Sequence, residues 1–266
     1  MRGIILAGGS GTRLSPLTDV ISKQLLPVYN KPMIYYPLST LMLAGIRDIL
    51  LISTPRDLPM FKSLLGDGSK FGISISYETQ DKPNGIAEAL IIGEKFLDGE
   101  KCALILGDNL LYGPGLGRDL VNRIGDTGAT ILAHHVSNPK DFGVIEFGSN
   151  DHPVRIIEKP QKSESNWAIP GLYFYDESAS KRAKNLKPSQ RGEREISDLN
   201  SDYLSEGKLK VIKMPRGTAW LDLGTPDSLL EAGKFIQIIE ERQGLEVGNP
   251  LQVAFVMKYI SSDFLK

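Results

Sequence analysis

What is scarce in this chain narrows its function first. It has one cysteine, Cys102, so no disulfide can form within the chain. That cysteine heads the apolar run Ala103-Leu104-Ile105-Leu106 and reads as a small buried hydrophobe. No apolar run approaches the ~20 residues of a membrane span, and no signal peptide precedes the first expected strand, which starts almost at Met1. The expectation is a soluble, cytoplasmic protein. Histidine is nearly as rare, and His134, His135 and His152 show no metal-ligand spacing. An excess of one charge is missing too, because the formal net charge is −1 and both signs are mixed along the chain. Nucleic acid or a membrane surface would favour a basic face, so neither is an expected partner. A local cluster of a few Lys and Arg is still enough for a small anion. No tract is biased enough to read as disordered, and 266 residues can bury a sizeable core without staples.

What is present is a series of short apolar, often β-branched runs ending in Gly, Asp or Pro. Gly3–Ala7, Asp48–Ser53, Ile73–Glu78, Ala103–Leu106, Thr130–Val136, Val144–Phe147, Val154–Glu158, Leu172–Tyr175 and Leu209–Met214 read as strands. Helical patterns lie between the early ones. Met33–Ala44 stops at Gly45, Asn84 can cap a helix to about Leu97, and Pro114–Ile124 is a weaker helical stretch. Strand–helix alternation in the first half implies a parallel sheet with helices on both faces. Near residue 143 the pattern changes, and Val144–Phe147 and Val154–Glu158 flank the turn-rich Gly148-Ser149-Asn150-Asp151 as a hairpin would. Thr225-Pro226-Asp227 opens a strong helix ended by Gly244. That helix is apolar on two faces, which suits either its own core or an oligomer contact. The expected organisation is a core over 1–225, in two halves that meet near residue 125. A helical segment over 226–266 follows.

The first strand runs into Leu6-Ala7-Gly8-Gly9-Ser10-Gly11-Thr12-Arg13-Leu14. Glycines let the backbone curl and let a ligand approach its N–H groups, which together form an anion nest. Arg13 and Lys23 add charge, so the loop suits a polyphosphate. It lacks the Gly-Lys-Ser/Thr of a Walker loop and the third glycine of a dinucleotide fingerprint.

Two acids stand where a metal could use them. Leu104-Ile105-Leu106-Gly107-Asp108-Asn109 is a buried strand ending in a carboxylate, and strand carboxyl ends are where open parallel sheets bind ligands. Trp220-Leu221-Asp222-Leu223-Gly224 sets a second acid among apolar neighbours, where it needs a partner. Mg²⁺ is typically held by one or two carboxylates with substrate phosphates and water, a minimum that Asp108 and Asp222 meet. Among the cations, Lys23 has apolar flanks, Lys159 ends a strand and Arg191 lies in a polar loop.

These stretches together resemble the sugar-1-phosphate nucleotidyltransferases. The glycine-rich run with Ser22-Lys23-Gln24-Leu25-Leu26-Pro27 is similar to their signature. Tyr29–Ser39, Leu106-Gly107-Asp108-Asn109, Glu158-Lys159-Pro160, Gly171–Asp176, Lys187-Pro188 with Arg191-Gly192-Glu193, and Trp220-Leu221-Asp222 are similar to the bacterial glucose-1-phosphate thymidylyltransferase subgroup. The resemblance runs from about residue 3 to 247. It implies an α/β, three-layer Rossmann-like fold with a central mixed, mostly parallel sheet, its nucleotide-binding half over about 1–125 and its sugar-binding half over about 126–225. It also implies attack by glucose 1-phosphate on the α-phosphorus of dTTP with Mg²⁺, and departure of pyrophosphate.

By the same resemblance Arg13, Lys23, Lys159 and Asp108 are the catalytic set. Leu6, Gly8, Gly9, Gly11, Thr12, Arg13, Gln24, Gln80, Pro83, Gly85 and Asp108 bind the nucleotide, with Gln80 and Gly85 on the thymine edge. Asn109, Gly143, Glu158, Lys159, Tyr173 and Arg191 hold the sugar phosphate, and Asp108 and Asp222 hold the metal. A homotetramer is implied, with a downstream dTDP-sugar effector at a second site to which Tyr112 is assigned. Phe142 and Leu223 stand where the subgroup usually has Tyr and Thr, and the tail from about Asn249 does not look like its usual end.

The chemistry agrees independently. A sugar phosphate has a second pKa near about 6 and is already an anion at neutral pH, so no general base is needed. What is needed is cation, backbone N–H and alignment. Two other readings stay open. One is a nucleotide-sugar glycosyltransferase, although no Asp-x-Asp occurs here; the other is a non-catalytic nucleotide-sugar sensor, although every cation and acid named is present.

Overall fold

The computed structural model describes residues 1–9 and 11–261. Ser10 of the glycine-rich loop and the last five residues of the C-terminal segment lie outside the described residues. In chain order, β1 (Arg2–Ala7) leads to a small hairpin, β2 (Pro27–Val28) with β3 (Lys31–Pro32), and then to α1 (Tyr35–Leu43), β4 (Asp48–Ser53) and α2 (Leu58–Leu65). Next come β5 (Ser74–Thr79), α3 (Glu88–Ile92), α4 (Glu94–Leu97), β6 (Cys102–Leu106), β7 (Asn109–Tyr112) and α5 (Arg118–Val121). The second half supplies β8 (Ala129–His135), β9 (Gly143–Phe147), β10 (Pro153–Glu158), β11 (Trp167–Ala168), β12 (Leu172–Tyr175), α6 (Ala179–Asn185) and α7 (Ile196–Ser205). It closes with β13 (Leu209–Lys213), β14 (Ala219–Asp222), α8 (Pro226–Gln243) and α9 (Pro250–Val256).

The large sheet has the order β10-β9-β11-β8-β12-β6-β1-β4-β5, with β13 beside β8. β6, β1, β4 and β5 are mutually parallel, and β12 joins them antiparallel to β6. β13 lies parallel to β8, and the expected β9–β10 hairpin is antiparallel. The sheet therefore runs unbroken through both expected halves of the chain. Alternation along β1 explains the three layers. Ile5 and Ala7 face α1, α2 and α9, while Ile4 and Leu6 face the opposite layer with α3, α6 and α7. Cys102 is fully buried, as its apolar setting requires.

Some helix boundaries differ from the sequence pattern. The stretch expected as one helix from Asn84 begins at Glu88 and breaks at Gly93, where a Cβ would lie 2.8 Å from Ile4 Cδ1. Asn84 does not cap it; its carbonyl accepts from the Arg194 N–H at 2.7 Å and its amide donates to Glu88. Only Arg118–Val121 of the stretch 114–124 is helical, because Gly113, Gly115 and Gly117 all hold positive φ. The helix at Thr225 is as expected, with a reciprocal Thr225–Ser228 cap.

Two pairings position the site. Leu6 lies beside Leu106 in the β1–β6 register, so the glycine-rich loop and Asp108 leave the sheet side by side. Outside the large sheet, β7 and β14 form an antiparallel ribbon with Asn109 opposite Asp222. The Leu223 N–H also donates to the Asp108 carbonyl at 3.1 Å. Two acids more than a hundred residues apart in the chain are thereby brought together.

Candidate active site

At the carboxyl ends of β1 and β6 a cleft of about 210 Å³ opens, lined by Leu6, Gly8, Gly9, Lys23, Gln24, Gln80, Pro83, Gly85 and Asp108. Eight expected nucleotide-site positions and the expected catalytic Lys23 thus share one cavity. Ile86, Leu106 and Glu193 also line it and were not picked out from the sequence. Gly9 and Gly11 adopt positive φ, and the Gly11 carbonyl is held by Thr18 Oγ1 at 2.8 Å. Gln24 is buried with its amide engaged. Its Nε2 donates to the Gly8 carbonyl at 3.1 Å, and its Oε1 accepts from Ser22 at 2.5 Å. Gln24 therefore shapes the glycine-rich loop. Thr12 and Arg13 lie on a short 3₁₀ turn outside the cleft lining.

The two acids differ in electrostatic state. Burial pushes the Asp108 carboxyl up, but the Lys23 ammonium hydrogen-bonded to it, with Asn109, brings it below the ordinary carboxylate value. Asp222 has no such direct bond among the described residues. Burial first, then the Asp108 charge, push it up to about 6 against the pull of Lys23, Arg13 and Lys159. A site with two facing carboxylates, one of them short of positive charge, fits a divalent cation with oxygen donors. Arg13 reaches the same place, its Nη2 only 2.6 Å and the Asp222 Oδ2 3.2 Å from where a Cβ on Gly224 would lie. Any side chain at 224 would collide with it.

Asn109, assigned to the sugar phosphate, is spent on the protein. Its Oδ1 accepts from Gly171 N at 2.9 Å and Trp220 Nε1 at 2.6 Å, while its Nδ2 reaches Asp108 at 3.2 Å. It braces the metal-side acid. Tyr173 is buried beside Glu158, Asp108 and Asp222; burial and those charges raise its hydroxyl pKa, so it stays a neutral donor.

The sugar-side residues form a second cluster. Glu158 accepts from Ser197 at the start of α7, and a Cβ on Gly143 would lie 3.4 Å from the Glu158 carboxylate. Lys159 Nζ is 3.8 Å from Glu158, and Arg191 is 3.7 Å from it while gripping Glu195 at 2.9 Å. Ser197 and Glu195 sit in a polar helix start that carries no motif, so the sequence offered no signal for them. Phe142 packs on Trp220 at 4.7 Å, and its carbonyl accepts from the Lys159 N–H at 3.1 Å. The missing hydroxyl thus leaves the backbone contact intact. Leu223 is fully buried against Val28 and Ile236, a core role that a Thr would fill less well.

A family model described as nucleotidyl transferase matches residues 2–238. The chain belongs to that family. It is 55% identical over 265 residues to a glucose-1-phosphate thymidylyltransferase of Mycobacterium tuberculosis, covering 100% of this chain and 92% of that one. A relative of the same name from Neisseria meningitidis is 55% identical over 267 residues, covering 100% and 93%. The tail from Asn249, set apart in the sequence, is spanned by both matches. A solved Bacillus anthracis protein assigned as a glucose-1-phosphate thymidylyltransferase, in complex with sucrose, superposes with a TM-score of 0.81 at 40% identity, covering 88% of this chain and 94% of that one. A UDP-glucose pyrophosphorylase solved with UDP-glucose shares the fold, with a TM-score of 0.78 at 21% identity over 90% and 98% of the two chains.

Proposed function

We propose that the protein transfers the thymidylyl group of dTTP to α-D-glucose 1-phosphate. A non-bridging oxygen of the sugar phosphate attacks the α-phosphorus in line. The bond from α-phosphorus to the β-phosphate oxygen breaks, and pyrophosphate leaves with that electron pair. The observation that carries this reading is the convergence of Arg13, Lys23 and Lys159 on the Asp222 carboxylate beside Asp108. Two polyanions can meet only where cations offset their repulsion.

Arg13 and the N–H groups of the glycine-rich loop hold the triphosphate, with Lys23 at its inner edge. Gln80 and Gly85 meet the base. Lys159 and Arg191 take the sugar phosphate, while Gly143, Glu158 and Tyr173 take the sugar hydroxyls. Asp108 and Asp222 would hold Mg²⁺, which would supply further positive charge against the substrates' phosphates. Thymine and uracil differ by one methyl, worth about 1–3 kcal/mol in a fitted pocket, so UTP is the expected weaker substrate.

A second cavity of about 830 Å³ at the far end of the β7–β14 ribbon includes Tyr112, whose hydroxyl bonds Gln243. It has the size for a downstream dTDP-sugar effector, and tetramer formation is part of the same proposal. No helix among the described residues is long and apolar enough to cross a membrane, in keeping with a cytoplasmic place.

Pyrophosphate release with dTTP, glucose 1-phosphate and Mg²⁺ tests the reaction. Turnover is expected, and it should stop when EDTA strips the metal. Absence of turnover with every triphosphate and hexose 1-phosphate pair would sink the proposal. Asp108→Asn should lower kcat by about 10²–10³, the usual cost of one electrostatic partner of the transition state.

A further inference from the structure

Gln80 directly follows β5 and lines the cleft beside Gly8 and Gly85, with only 6% of its surface exposed. An amide can point either end at a ligand, and the two ends read opposite hydrogen-bonding edges. Here the choice is made by its neighbours. Gln80 Nε2 donates to Glu88 Oε2 at 2.7 Å and to the Gly85 carbonyl at 3.2 Å. A carboxylate and a carbonyl can only accept, so the nitrogen end must face them. The opposite atom, Oε1, points toward the glycine-rich loop, 3.2 Å from where a Cβ on Gly8 would lie. No donor among the described residues bonds it. Glu88 is itself held, its Oε1 accepting from Asn84 Nδ2 at 2.8 Å.

We infer that Glu88 is a positioning residue that locks the Gln80 amide with its oxygen toward the nucleotide base, so that the cleft selects pyrimidines carrying a ring N–H and rejects cytosine. Thymine and uracil present N3–H, a donor for Gln80 Oε1. Cytosine presents a lone pair at N3, which would set acceptor against acceptor. A site built around one such bond leaves a buried group unpaired with the wrong base, so its discrimination is large. Without Glu88 the amide can turn over and present its NH₂ end to cytosine. The inference rests on the proposal that this cleft holds the base.

The test is the ratio of kcat/KM for dTTP to that for dCTP in the wild type, Glu88→Gln and Glu88→Leu. E88Q is nearly isosteric and can donate as well as accept, so it removes the carboxylate's demand and leaves only the longer contact to the Gly85 carbonyl, at 3.2 Å, to oppose a turned amide. The ratio should fall at least tenfold in both variants, the KM for dTTP should rise several-fold, and kcat at saturating dTTP should stay within about threefold. A ratio unchanged in E88Q overturns the inference, as does a fall confined to kcat with discrimination intact. Should E88L fail to fold, the isosteric variant alone decides, with dTDP and dCDP affinities measured by calorimetry alongside. A wild type that uses dTTP and dCTP equally would overturn the base-reading proposal itself, a result distinct from both.

Discussion

At the scale of single residues, Asp108 and Asp222 show what function costs stability. Asp108 is neutralised by Lys23, whereas Asp222 is left to burial and repulsion. A carboxyl raised from 3.8 to about 6 binds its proton more readily in the folded than the unfolded chain. Metal-free stability therefore falls as pH rises between those values, and the full penalty stands above pH 6. Asp222→Asn should remove that penalty. We expect the metal-free variant to gain about 1–2 kcal/mol at neutral pH, or about 2–4 °C per kcal/mol, while losing turnover. Scanning calorimetry with EDTA at pH 7.5 and again near pH 4.5 checks it. The gain should shrink to a fraction at the lower pH, where the native Asp222 is largely protonated and only part of the penalty has built up. A loss of stability at pH 7.5 would show that Asp222 is not under repulsion.

At the scale of elements, the β2–β3 hairpin and α8 are tied by a buried ion pair. Lys31 Nζ meets Glu240 Oε1 at 2.7 Å with side chains 6% and 8% exposed. Asn30 Nδ2 and the Val247 N–H add bonds to the same carboxylate at 2.9 and 2.8 Å. The hairpin follows the turn that carries Lys23 and Gln24, so this pair anchors the chain just beyond the cleft's lining. Lys31→Met leaves Glu240 buried and uncompensated, and should cost about 3–5 kcal/mol in urea unfolding. Adding Glu240→Gln should recover most of the loss, and a Lys31→Met variant as stable as wild type would contradict this view. The β7–β14 ribbon is the other joint. It is four residues long and carries Asp222 at one end, while Tyr112 of the second cavity lies at the other. The ribbon thus links Tyr112, in the lining of the second cavity, to Asp222 beside Asp108 of the cleft.

At the scale of the whole molecule, α8 divides its apolar residues between two faces. Ala232 and Ile236 are buried against Val28, Met33 and Leu110, while Leu230 and Ile238 are 75% and 47% exposed on the same outer face. Leu230→Asp with Ile238→Asp should lower the oligomeric mass in sedimentation while leaving the far-ultraviolet spectrum unchanged. An unchanged mass would place the subunit contact elsewhere.

The apolar runs by themselves determined nine strands of the sheet, because a run of Ile, Leu and Val between breakers has few other ways to be buried. The glycine-rich loop and Asp108 were equally legible, since a cluster of glycines or an acid directly after a buried apolar strand has little packing reason to be there. The ribbon was not. Asn109–Tyr112 and Ala219–Asp222 are too short to read as strands alone and exist only by pairing with each other. Nor were α7 with Ser197, whose sequence is polar, or the Glu88 contact to Gln80, which depends on where a loop closes. Residue chemistry is local and survives in one dimension. Which carboxylate is paired, which amide end faces the cleft and which acid is left in want of a cation are set by distances of a few ångströms between residues far apart in the chain, and those arise only when the sheet and ribbon have formed.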